Sequence, residues 1–137
     1  MSPVCALSLP PKHIMLRDRI LRRALWAAVA LNALGVVVFA LPALGYPSPL
    51  LPIAVPPFFA AQIGFTIALF GGVYAWLALQ PQFNRALVVV GGLGKLGFFA
   101  LTVAYSVAGV VPVGMALNAT PDLLFAGIFL WWARGTG

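Results

Sequence analysis

The sequence predicts an all-α integral membrane protein, a bundle of four transmembrane helices with the fourth short or broken near Asn118–Asp122. Three observations predict it. The 137 residues are 63% hydrophobic and only 7% charged, where soluble domains carry about 25% charged residues. Mean hydropathy is +1.06, and a soluble chain this short has too much surface for its volume to hide so much apolar material. Apolar runs long enough to cross a bilayer recur along the chain, divided by proline, glycine and arginine.

Taken in order, residues 1–14 contain proline and serine without a helical period, and read as a disordered tail ahead of a four-helix domain over 15–137. Met15 opens MLRDRILRRALWAA and would serve as an alternative start. The first span covers residues 21–44, too long for the apolar region of a secretory signal peptide. Pro42, Gly45 and Pro47 end it. Tyr46–Pro57 is rich in proline, which removes backbone donors and fixes φ, so it cannot continue a helix. Lipid would leave that irregular backbone unsatisfied, which places it at the outer interface or over the bundle.

The second span covers 58–79, and Pro81 and Asn84 mark a short turn that carries Arg85. The third covers 86–108, broken by Gly109 and Pro112. The fourth covers 113–133 and is interrupted at Asn118–Asp122. Thr120, Pro121 and Asp122 spell a helix start: an N-cap threonine, a proline in the first turn, an early acid. A helix from Pro121 to Arg134 is only about 20 Å long, against a hydrocarbon core of about 30 Å. Either 110–118 supplies the outer half as a broken helix, or loop fills the outer face.

The net charge of +6 does not signal nucleic-acid binding. Lys12, Arg17, Arg19, Arg22 and Arg23 flank the first span, where basic residues hold an end in the cytoplasm and attract anionic lipid. Arg85 and Arg134 lie in alternate loops, so both termini are expected in the cytoplasm of a bacterial-type inner membrane. Trp26, Trp131 and Trp132 then fall near the cytoplasmic interface, where indoles partition.

Lys95 and Asp122 are the only charged residues between Arg85 and Arg134. A charge at the bilayer centre costs roughly 2.5–3.5 kcal/mol on insertion scales. Counting from the charged end of each span, Asn32 lies about 14 Å deep, Lys95 about 15 Å and Asp122 about 18 Å. The three therefore share a layer near the midplane. Gln62 lies nearer the outer side, as a further candidate for a ligand or ion pathway. Gly64, Ala68 and Gly72 in span two, and Gly91, Gly94 and Gly97 in span three, read as helix-packing stripes.

Several chemistries find no residues. Cys5 is alone, so no intrachain disulfide forms. The chain has one histidine, His13, outside the spans, no glutamate and two aspartates; neither haem, a zinc site nor a catalytic carboxylate pair is expected. Ser106 has no base near it, and Gly91–Lys95 lacks phosphate-loop spacing. The layout resembles that of small four-span bacterial inner-membrane proteins. Small multidrug transporters of this size carry a first-span glutamate where Asn32 stands here, and the phenylalanine and asparagine motifs of a fluoride channel are missing, so no family follows.

The expectation is a non-enzymatic accessory or self-associating membrane subunit, without cofactor, whose partners are the lipid bilayer and further copies or subunits of a membrane complex. The alternative is a small transporter or lipophilic-ligand-binding protein using Lys95 and Asp122. Lys95 and Asp122 serve the first as an ion pair or as a cap with a snorkelling lysine, and the second as an exchange site.

Overall fold

The computed structural model of the chain describes residues 12–135. All the regular elements among them are helices: α1 (Lys12–Ala43), α2 (Pro57–Leu79), α3 (Arg85–Val107), α4 (Val113–Asn118) and α5 (Thr120–Arg134). The last two form one span, Val113–Arg134, so four stretches are long and apolar enough to cross a bilayer. The protein is a four-helix membrane bundle with a broken fourth helix.

The helix α1 begins nine residues before Leu21, the expected start of the first span. The basic segment is helical because its register carries on the buried stripe Leu21, Ala24, Leu25 and Ala28, at i, i+3, i+4 and i+7. Of the tail expected over 1–14, residues 1–11 lie outside the described residues. At its full length α1 measures about 48 Å and extends past an apolar core of about 30 Å.

Helix ends differ between the two faces of the molecule. At the face without charges, α1 and α3 each stop at a glycine of positive φ, Gly45 (87°) and Gly109 (73°). In both, the next amide reaches back to a carbonyl five residues earlier: Tyr46 to Leu41 at 3.0 Å, Val110 to Tyr105 at 2.9 Å. This is the Schellman stop, which glycine permits without a Cβ penalty. At the charged face, arginines take over. Arg22 donates to the carbonyls of Ala78 and Gln80 (2.9 Å) at the end of α2. Arg17 donates to those of Trp131 (2.6 Å) and Trp132 (3.3 Å), and Arg85 to that of Ala133 (3.0 Å), at the end of α5. These contacts also fix the topology. The start of α1 meets the end of α2, and the start of α3 meets the end of α5, so α1/α2 and α3/α4–α5 are antiparallel hairpins.

Each hairpin packs chiefly on itself, and the two meet through α1 with α5 and thinly through α2 with α3. The main core joins them near the charged face: Leu21, Leu25 and Ala28 of α1, Tyr74 and Leu77 of α2, Val88 of α3, Phe129 and Trp132 of α5. Trp132 also donates its indole N–H to Asp18 at 2.7 Å. Toward the other face, α4 touches only α3 and α5.

The Pro-rich connection is irregular and borders a half-open cavity of about 360 Å³, walled by its own residues and the ends of α1 and α2. The break in the fourth span follows from Pro121, which has no amide to donate into the ladder. One expectation needs correction. Thr120 is the first residue of α5 and not its N-cap; Ala119 holds the cap position in αR geometry, with no side-chain bond. Threonine caps from an extended backbone, and the short α4 delivers the chain already helical.

Candidate functional site

Asn32, Lys95 and Asp122 come from three helices and meet at one point. The Lys95 Nζ lies 2.5 Å from Asp122 Oδ1 and donates to Asn32 Oδ1 at 3.4 Å. Asn32 Nδ2 in turn donates to the Ile67 carbonyl of α2 at 2.9 Å. One lysine thus links both hairpins: directly to α5 and α1, and through the asparagine to α2.

Local sequence explains how each side chain arrives. Lys95 follows Gly91 and Gly92 by one turn on α3. A Cβ at Gly91 would sit 2.8 Å from Cε1 of Tyr74, and one at Gly92 3.0 Å from Cγ of Leu130. Without those Cβ atoms, Tyr74 of α2 and Leu130 of α5 pack against α3 one turn before the lysine. Gly71 plays the same part for Asn32, since its Cβ would lie 3.3 Å from that of the asparagine. Asp122 sits in the first turn of α5, immediately after Pro121.

The surroundings are apolar and aromatic. Lys95 Nζ lies 5.4 Å from the ring centroids of both Tyr74 and Phe125. Tyr74 stacks edge-on with Phe129 at 5.6 Å and donates its hydroxyl to the Gly91 carbonyl at 3.4 Å. Lys95 is 6% exposed, Asn32 8% and Asp122 14%. A lysine stranded here would face a low dielectric, so the carboxylate, the amide oxygen and two ring faces replace its water. Charge-assisted bonds of this length are among the stronger ones in proteins.

Other expected residues lie elsewhere. Gln62 is exposed on α2, and its carbonyl accepts from Thr66 at 2.9 Å. Gly64 faces Phe39, and Gly94 only borders Phe70. A Cβ at Gly72 or Gly97 would meet nothing within 4 Å among the described residues, and Ala68 is exposed. Ala68 and Gly72 instead line an open groove of about 400 Å³ between α1 and α2, and Asn32 is part of the same lining.

Sequence reasoning passed over Tyr74, Phe125, Gly71 and Gly92. A signal existed for Phe125 and Phe129, which follow Asp122 at i+3 and i+7 and so share its face. A tyrosine inside an apolar helix also asks for a partner for its hydroxyl. Nothing in the sequence distinguishes Gly92 from Gly94. Among the described residues no three His, Cys, Asp or Glu side chains gather as a metal site. Compared with family profiles, curated proteins and solved structures, the chain finds no match.

Proposed function

We propose that this is a small non-enzymatic subunit of a bacterial cytoplasmic membrane that associates with further copies of itself, and that the Asn32–Lys95–Asp122 layer holds its fold. The observation that carries this reading is the burial of Lys95 within the layer. A side chain that exchanges an ion needs water on one side or the other, and Lys95 is 6% exposed with its partners supplied from inside the chain. The groove along α1 and α2, by contrast, is open and lined by small residues that let a second helix approach closely.

Orientation rests on charge. Arg17, Arg19, Arg22, Arg23, Arg85 and Arg134 belong to one face, and the loops at the other carry no Lys or Arg. That asymmetry supports cytoplasmic termini, and reporter fusions at Gly137 and Ser48 are expected to register cytoplasm and exterior respectively.

Native mass spectrometry of the membrane-extracted protein tests association. A defined oligomer is expected, weakened by Ala68→Leu. Because Ala68 is exposed in a single copy, the substitution leaves the fold intact and reports on the contact between copies. A wild-type protein found only as monomer sinks the reading. Transport or lipophilic-ligand binding through Lys95 and Asp122 is the second reading, favoured by the helix break beside Asp122, a feature of transporter sites. It predicts that a Lys95→Met, Asp122→Leu double variant folds but loses all flux or ligand binding.

A further inference from the structure

The arginines at the charged face divide into two sets. Arg17, Arg22 and Arg85 are spent on carbonyls at the ends of α2 and α5. Arg134, at the end of α5, is exposed and makes no hydrogen bond or ion pair among the described residues, and the same holds of Arg19 and Arg23. These last two stand one turn apart on α1, and Trp26, 46% exposed, continues their stripe at i+7. At about 100° per residue, this stripe lies opposite the buried one of Leu21, Ala24, Leu25 and Ala28. It therefore faces outward, away from both hairpins.

Depth makes the stripe specific. Measured from the Asn32 layer, Trp26 lies about 9 Å along the helix, Arg23 about 14 Å and Arg19 about 20 Å. With an apolar half-thickness of about 15 Å, the indole falls just inside the boundary, Arg23 on it and Arg19 among the headgroups. We infer that Arg19, Arg23 and Trp26 form a binding site for one anionic phospholipid, its phosphate between the two guanidiniums and its upper acyl chains along the indole. Guanidinium forks match phosphate oxygens, and two cations without a counter-charge favour a headgroup that has no ammonium of its own. The site rests on membrane placement alone and stands or falls independently of self-association.

The test is a lipid titration followed by native mass spectrometry, with dioleoyl phosphatidylglycerol compared with dioleoyl phosphatidylcholine. The wild-type protein is expected to prefer phosphatidylglycerol. At about 1 kcal/mol per basic residue, R19Q/R23Q should cut that preference roughly thirtyfold, R19K/R23K should keep most of it, and R134Q should leave it near wild type. In lipid-free micelles R19Q/R23Q is expected to melt as the wild type does, since neither side chain has a partner among the described residues. An unchanged lipid preference in R19Q/R23Q, an equal loss in R134Q, or a lowered lipid-free melting temperature in R19Q/R23Q overturns the assignment.

Discussion

At the scale of single residues, the fold turns on a charge that the bilayer disfavours. Lys95 is tolerated because polar and aromatic groups of the chain surround its ammonium: Asp122 at 2.5 Å, Asn32 at 3.4 Å, and ring faces of Tyr74 and Phe125. Such a pair adds little net stability compared with apolar residues of the same volume, yet removing one partner leaves the other stranded. Lys95→Met and Asp122→Leu should therefore each cost about 3–5 kcal/mol, and the double variant much less than their sum. Unfolding of the three variants in mixed micelles measures this coupling, and additive losses would show that the pair is not one unit. This layer was legible in the sequence because charges are so scarce there and a helix rises a fixed distance per residue. The aromatic walls were not, because a phenylalanine among apolar residues looks the same whether it faces lipid or a lysine. The glycines divide likewise. Gly91 lies under Tyr74 while Gly97 meets open space, and that distinction is one of helix rotation, set by neighbours far away in sequence.

At the scale of helices, the same problem of unpaired terminal carbonyls is solved in two ways. At the face without charges the solution is local: glycine turns left-handed and two amides fold back, at Gly45 and Gly109. These stops were readable, since glycine followed closely by proline marks a helix end in any context. At the charged face the carbonyls of α2 and α5 receive guanidinium groups from α1 and α3. These caps were not readable, because Arg17, Arg22 and Arg85 are distant in sequence from what they cap, and a positively charged flank already had a sufficient explanation in topology. A cation at a helix C-terminus also meets the negative end of the macrodipole. Arg22 additionally stacks over Phe83 at 4.7 Å, so it ties α1 to the α2–α3 turn as well. We therefore expect Arg22→Gln to lower stability by about 1.5–3 kcal/mol, the worth of hydrogen bonds to a charged group. Thermal unfolding in micelles checks it, with Arg23→Gln as the reference that should change little, since Arg23 has no partner among the described residues.

At the scale of the molecule, the number and order of helices follow from the distribution of apolar runs, but the way the hairpins are joined does not. That depends on which faces match in three dimensions. Three things bind the hairpins between the charged face and mid-depth: the core around Leu25, Tyr74 and Phe129, the contacts of Arg17 and Asp18 with the end of α5, and the lysine layer. Beyond the layer the buried residues, among those described, are Pro42, Ala60 and Ala119, and among them α4 contacts only its own hairpin. Lipid tails are as apolar as the side chains they meet, so no hydrophobic drive closes that outer half. The bundle should behave as two rods clamped at one end. Spin labels on exposed positions, with Cys5 replaced by serine, report this directly. A pair at Leu79 on α2 and Val90 on α3 should give a narrow distance distribution. A pair at Phe59 on α2 and Val107 on α3, at the unclamped ends of the same helices, should give a broader one. Lys95→Met should broaden the second pair further while changing the first much less, because the layer is the outermost point at which the hairpins are tied. Equal widths for the two pairs, or a second pair indifferent to Lys95→Met, would show that the outer half is held by contacts between lipid-facing surfaces and not by the clamp.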